Sequence, residues 1–328
     1  MASADPGLAP MGATAEDPTK GAIHQSKDGL VEEQQIVAPD QFDERYETSR
    51  MEIWSYYAYY IGNNGLSLFN FGPTAFQNLL YQQAGDNEIL YFWGRNRTIN
   101  SIVLLTNGVS FAIQTVLFLL IGAYADFGSF RPNILIVLSM VAYGIGFGWL
   151  GVHDASKWEA GTGLYIVGLI AYQLTLTYWT AAFPGLARNT RELRDKAQAY
   201  EDGEISLDEY NHADSMMRNR LSNMAFYIQS MGEIVILAII VGILFGLDVD
   251  ASTANNNWGL SVLIAFASGV WLLLSIPWFV LEKRRPGLMP NMNIVLAGLY
   301  QLWRAITQIW HLRQSLCYLI GKPKSFFN

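Results

Sequence analysis

Charge is scarce in this sequence: 15% of the residues are Asp, Glu, Lys or Arg against 51% hydrophobic, below the roughly 25% charged content of soluble domains. The scarcity comes in blocks. No charged residue lies between Glu52 and Asp86, Arg97 and Asp126, Arg131 and Asp154, Glu159 and Arg188, or Asp250 and Glu282, and the run from Arg220 to Asp248 is interrupted only by Glu233. A charge at the centre of a membrane helix costs roughly 2.5 to 3.5 kcal/mol, and every run reaches the ~20 residues that cross a bilayer core. Barrel strands would be about half as long and would alternate; these runs do neither. An all-α membrane protein of six transmembrane helices, in contact with the lipid bilayer, is the fold class this pattern predicts.

Cysteine is nearly absent. Cys317 stands alone, which excludes an intramolecular disulfide framework. His24, His153, His212 and His311 are too scattered for a metal site. No phosphate loop occurs, and no nucleophile, base and orienter can be assembled from the polar residues of the spans. The expectation is a protein that is no enzyme, carries no cofactor or metal, and has no nucleic-acid partner.

The spans fall at about 53–80, 99–124, 133–152, 163–183, 223–246 and 259–281, forming a bundle over 51–283 with a charged loop at 184–222. Residues 1–50, with ten acidic residues against Lys20, Lys27, Arg45 and Arg50, read as a disordered tail. No basic start followed by an apolar stretch marks a signal peptide, so the first span is expected to act as its own insertion signal. Placing the N-terminus in the cytosol puts 18 of the 21 Lys and Arg residues on the cytosolic side and leaves only Arg95, Arg97 and Lys157 opposite, as the positive-inside rule demands. Both termini are therefore expected in the cytosol. Trp54, Trp93, Trp149, Trp158, Trp258 and Trp278 all fall near span ends, where amphipathic rings prefer the interface.

Two local motifs carry little. Asn96-Arg97-Thr98 is a glycosylation sequon almost at the mouth of the second span, read as unmodified. The stretch from Asp202 to Tyr210 echoes half a calcium loop, but Gln198 and Tyr200 stand where acidic ligands belong, so it reads as a turn between helices. Past the last span, residues 284–328 hold Leu299, Leu302, Trp303, Ile306, Ile309, Trp310 and Leu316 at helical spacing with Arg304 and Arg313 between them. This is an amphipathic helix that either packs on the mouth of the bundle or lies on the headgroups.

Polar residues within spans indicate which helices line a wet path. Asn63, Ser67, Asn70 and Thr74 form one helical stripe in the first span. Asn107, Ser110 and Gln114 do so in the second, Gln173, Thr177 and Thr180 in the fourth, and Gln229 and Glu233 in the fifth. The third and sixth spans read as supports, the sixth with Ser261, Ser268 and Ser275 as a close-packing stripe. Gly62-Asn63-Asn64-Gly65 and Gly72-Pro73 invite local unwinding in the first span, and transporters hold polar solutes at such breaks; hydrogen bonding between helices is the alternative use of the same amides. Asn63, Asn64, Ser67, Asn70, Gln114, Gln173, Thr177 and Gln229 are the candidate substrate-binding residues. Glu233, the one acid inside a span, is the candidate to carry a coupling proton or to meet a substrate ammonium group, a neutral hydrogen-bonded structural acid being the alternative.

Gly122, Asp126, Gly128 and Arg131 between the second and third spans resemble the cytoplasmic loop motif of the major facilitator superfamily, with one extra residue before the arginine. That resemblance implies a gate in which Arg131 pairs with the acid. The stretch Tyr59–Leu80, preceded by Asp43-Glu-Arg-Tyr46, resembles the fungal autophagy-related protein 22 family of vacuolar transporters, and the likeness runs from about 42 to 320. It implies the N-terminal half of a major-facilitator transporter in the vacuole membrane, exporting amino acids such as leucine, isoleucine and tyrosine to the cytosol after autophagic breakdown. That family has twelve spans, whereas this sequence ends where a seventh would begin, at Ser315–Ile320. The following Gly321-Lys322 can be encoded by a triplet pair containing a common splice-donor sequence, so a retained intron or truncated gene model is expected. If the chain is complete, it is expected to pair with a second transporter half, or to serve as an interaction or dimerising subunit without transport of its own.

Overall fold

The computed structural model describes residues 37–126, 129–286 and 293–311. Among the described residues, five helices are long and apolar enough to cross a membrane: Ile99–Ile121, Arg131–Gly151, Ala155–Arg188, Leu207–Gly246 and Thr253–Leu281. The first expected span is instead discontinuous. It comprises α1 (Arg50–Gly62), a π-helical segment (Leu66–Phe71) and α2 (Gly72–Ala84).

A short antiparallel hairpin follows, β1 (Ile89–Phe92) and β2 (Arg95–Thr98), with Phe92 opposite Arg95 and the exposed Asn96 opposite Tyr91. The remaining helices are α3 (Ile99–Ile121), α4 (Ala123–Asp126), α5 (Arg131–Gly148), α6 (Trp158–Thr180), α7 (Phe183–Arg188), α8 (Arg191–Glu201), α9 (Leu207–Gly246), α10 (Thr253–Leu281) and α11 (Ile294–His311).

Helix starts follow capping chemistry. Ser49, Thr98 and Ser252 each accept from a backbone N–H of the first turn of α1, α3 and α10. Ser206 and Glu209 form a capping box, and this start explains why α9 extends well before the expected 223. The segment between α8 and α9 turns at Gly203, with φ +74°.

The core is aromatic and centred on α1. Tyr56 stacks on Trp179 of α6 at 4.2 Å and meets Trp278 of α10 edge-on. Tyr59 donates to or accepts from Ser139 of α5 at 3.0 Å, and Tyr143 of α5 donates to Ser275 of α10 at 2.7 Å. A Cβ on Gly62 would lie 2.7 Å from the Trp271 Cα, so α1 and α10 approach at backbone distance. Trp149, Trp158 and Trp278 belong to this core. Their positions near helix ends therefore reflect packing, while Trp54 and Trp93 remain exposed, as an interfacial ring would be.

The bundle has two distinct ends. At one, α1 and α5 begin and α3, α6 and α10 finish, and ion pairs are concentrated there. At the other lie the hairpin, the start of α10 and the end of α2, where Asn78 donates to Asn256 at 3.0 Å and Asn257 at 2.6 Å, and Gln82 and Asn257 exchange hydrogen bonds.

The expected tail differs from the structure in its last part. From Val37 the chain packs against α7, α8 and α9: Asp40 pairs with Arg188 at 2.9 Å, Gln41 donates to the Arg188 carbonyl, and Tyr210 donates to Gln41. Val37, Leu193, Ala197 and Tyr210 form a small apolar cluster beneath it. Residues 1–36 lie outside the described residues, as do Arg313, Leu316 and the stretch 315–320.

Candidate functional site

The break in the first segment has a local cause. Asn63 ends α1 with its N–H on the Tyr59 carbonyl at 2.8 Å, and Gly65 follows at φ +89°, a left-handed conformation that glycine adopts without steric cost. The Asn64 side chain accepts from the Leu66 N–H at 2.9 Å, bracing the turn. Chain direction resumes through the π-helical Leu66–Phe71.

This break splits the stripe expected from spacing. Asn63 and Ser67 are buried, whereas Asn70 and Thr74 are exposed, because a left-handed residue and a π turn rotate the helix out of the 3.6-residue register on which the stripe depends. Ser67 turns to α10, its hydroxyl 2.5 Å from that of Ser268 and 3.1 Å from the Ile264 carbonyl. Thr74 donates back to the Asn70 carbonyl at 3.0 Å.

Asn63 is different. It is 1% exposed, and neither its Oδ1 nor its Nδ2 has a hydrogen-bond partner among the described residues. An unpaired buried amide costs about 1 to 3 kcal/mol, so such a group calls for a specific reason, of which a functional role is one.

Around the break stand groups from α6, from α9 and from α1 itself. Tyr172 of α6 brings its hydroxyl to within 3.0 Å of where a Gly65 Cβ would sit, and its ring lies 5.6 Å from Phe69. Tyr60, one turn before Asn64, stacks on Trp179 at 4.5 Å and meets Phe226 of α9 edge-on at 5.6 Å. On α9, Gln229 donates to the Glu233 carboxylate at 2.6 Å, and Glu233 is within electrostatic reach of the Tyr60 and Tyr172 hydroxyls. Gly232 lets α9 approach: a Cβ there would come 2.5 Å from Ile61. Asn63, Tyr60, Tyr172, Gln229 and Glu233 thus flank one interruption of the apolar core.

The other candidates are placed differently. Asn107 accepts from Tyr165 at 2.5 Å, tying α3 to α6, and Ser110 donates to the Thr106 carbonyl at 2.8 Å. Gln114 is half-buried, and its Oε1 has no partner among the described residues. Thr177 donates to the Gln173 carbonyl at 3.0 Å and Thr180 to the Thr177 carbonyl at 2.9 Å, so the threonine hydroxyls of α6 are satisfied by their own helix.

At the ion-pair end, Arg131 pairs among the described residues with Glu282 at 2.7 Å, an acid from the far end of α10. The reason lies in helix polarity. Arg131 opens α5 and Glu282 caps the end of α10, each facing the unfavourable pole of its own helix dipole, and pairing across the two helices neutralises both. Gly122 ends α3 with its N–H on the Phe118 carbonyl; Gly128 and the side chain of Asp126 lie outside the described residues.

Beside this pair is one that spacing does not reveal. Glu52, in the first turn of α1, takes Arg285 in a two-pronged contact at 2.7 and 2.8 Å with both side chains almost wholly buried. Arg285 also reaches Thr48 and the Tyr46 carbonyl. Burial pushes the Glu282 carboxyl up to about 7, against the opposing pull of Arg131.

Compared with known proteins, residues 48–322 match a family model described as vacuole effluxer Atg22-like. No curated protein and no solved structure matches the chain.

Proposed function

Because the chain belongs to the vacuole effluxer Atg22-like family, a family of transporters in a multi-pass vacuolar membrane setting, we propose that it moves amino acids such as leucine, isoleucine and tyrosine from the vacuole lumen to the cytosol by alternating access. In this reading the discontinuous segment Arg50–Ala84 completes a six-span bundle beside the five continuous helices. The ion-pair end faces the cytosol, in keeping with the Lys and Arg bias. The single observation that carries the reading is Asn63, a buried amide with no partner at the break of a membrane helix. Free backbone and side-chain amides at such a break are the groups that bind polar solutes in secondary transporters.

Glu233, held by Gln229, takes the coupling proton or the substrate ammonium. Alternating access needs two halves around a midplane site. Helices α3 and α9 are the least covered, with 17% and 11% of their apolar windows buried, and they offer the faces for a second half. The alternative is a subunit that uses these faces for pairing without flux of its own.

Proteoliposomes loaded with labelled leucine or tyrosine test the reading, together with the detergent-corrected mass of the purified protein. Efflux that falls at least about tenfold in Asn63→Leu, an effect of the size expected from one lost polar contact, supports the proposed site. Unchanged efflux in that variant removes it. A folded protein without flux, alone or paired, favours the subunit.

A further inference from the structure

The last described helix is apolar on two sides. On one, Ala297 is 3% exposed and Gly298 fits against Ala123, where an added Cβ would collide with the alanine side chain. This is a contact with α4, directly after the end of α3. On the other, Leu296, Leu299 and Trp303 recur at intervals of three and four residues and so share a face. They remain 58%, 40% and 65% exposed.

A helix with only one apolar face is satisfied once that face docks; α11 has docked and still presents four large apolar side chains, the exposed Leu302 beside these three. We infer that α11 is a membrane-surface strut, held to the α3–α4 turn through Gly298 while Leu296, Leu299 and Trp303 enter the interfacial layer of the lipid bilayer.

Continuity identifies the occupant. α11 meets the bundle at Ala123, two residues past a helix that is long and apolar enough to span. Val116, Leu119 and Leu120, in the last turns of that helix, are exposed apolar residues on the same end of the molecule. The apolar face of α11 therefore begins where the exposed apolar surface of α3 stops, at the end of a membrane-length helix and so at headgroup depth. Its chemistry fits that depth: tryptophan prefers the interface, and Arg304, exposed next to Trp303, can lay its stem along the acyl boundary and keep its charge among phosphates. The inference depends on membrane insertion alone and stands whether or not the chain transports.

The test uses the full chain in phospholipid vesicles, with Cys317→Ser as background and nitroxide labels on single cysteines at 296, 299 and 303, three exposed positions that leave the docking face intact. Collision rates with oxygen, which concentrates in acyl chains, are compared with those of a water-soluble nickel chelate. The expected result is an oxygen-to-nickel ratio several-fold higher at all three positions than at a label on the exposed Arg45. A ratio equal to that of Arg45 would place the face in water and overturn the inference. Labels shielded from both reagents would overturn it in favour of a covering protein surface, a second half or a second copy.

Discussion

Arg131 donates to Glu282 at 2.7 Å across the ends of α5 and α10, yet Arg131 Nη1 and Glu282 Oε2 are both buried with no partner among the described residues. A few ångströms along the same helix end, Arg285 uses both terminal nitrogens on Glu52 and adds Thr48 and the Tyr46 carbonyl. The two ion pairs share the end of α10, one tying it to α5 and the other tying the segment after it to α1, and they are unequal, one half-made and one saturated. Separation of α5 from α10 at this end would break the Arg131–Glu282 pair and leave the Glu52–Arg285 pair in place.

Acid is expected to hold this end closed. Glu282 sits at about 7 when buried, against 4.5 for an exposed carboxyl, so the closed state binds the proton more tightly than any state that hydrates the group. The closed state is therefore favoured progressively as pH falls from about 7 towards 4.5, approaching tenfold per pH unit, and gains nothing above 7. Protection against hydrogen exchange at the start of α5, corrected for the intrinsic pH dependence of amide exchange, should rise as pH falls across that window in the wild type. A Glu282→Gln protein should show no such rise in protection; an identical profile in both would dissociate Glu282 from the effect.

Glu52→Gln should be among the most damaging single changes. It leaves a buried guanidinium without its counter-charge, a loss of about 3 to 5 kcal/mol by comparison with other broken buried pairs. Thermal unfolding in detergent measures it. Replacing both partners, Glu52→Leu with Arg285→Met, should recover a large part of the loss, because the remaining charge disappears with its partner.

The crossing of the π segment with α5 and α10 leaves no room at Gly146. A Cβ there collides with the Ser268 side chain and lies 3.6 Å from the Ser67 hydroxyl. Gly146→Val should therefore lower stability by about 1 to 3 kcal/mol through overpacking. Pairing a smaller Gly146→Ala with Ser268→Gly should restore the unfolding temperature.

At the opposite end, Asn257→Leu should loosen α2 from α10. The variant removes both hydrogen bonds that Gln82 makes with Asn257 and one of the two that Asn78 donates, its bond to Asn256 remaining, at a cost of about 0.5 to 1.5 kcal/mol per lost hydrogen bond. Protease cleavage in the stretch after α2 should become faster, while cleavage between α8 and α9, on the other end, should not change.

Glu233→Gln separates the roles proposed for the acid. It keeps the shape and an acceptor for Gln229 but cannot take up a charge-changing proton. Transport in that variant should lose its pH dependence; transport with the wild-type profile would leave Glu233 a structural group.

The helical membrane class was legible in the sequence because apolar solvation acts on every residue of a run, so a charge-free block of sufficient length identifies itself without reference to its neighbours. The serines at 261, 268 and 275 were legible for a similar reason: a seven-residue interval keeps one helix face, and all three are buried. The polar stripe of the first segment was only half legible. Its spacing assumed an unbroken helix, and Gly65 with the π turn moved Asn70 and Thr74 away from Asn63. The partners of Glu52 and Arg131 were not legible at all. Glu52 and Arg285 are separated by most of the chain, and an ion pair between helix ends leaves no periodic mark on either one.

The sequence by itself determined that this chain inserts in a membrane as helices, roughly where the apolar runs lie, and which family it belongs to, since each rests on local solvation or contiguous identity. Only the tertiary structure decided that Asn63 is buried without a partner, that Arg131 closes on Glu282 and that α11 docks by Gly298 with its other apolar face free. These depend on which helix ends and faces meet, and that is set by the packing of the whole bundle.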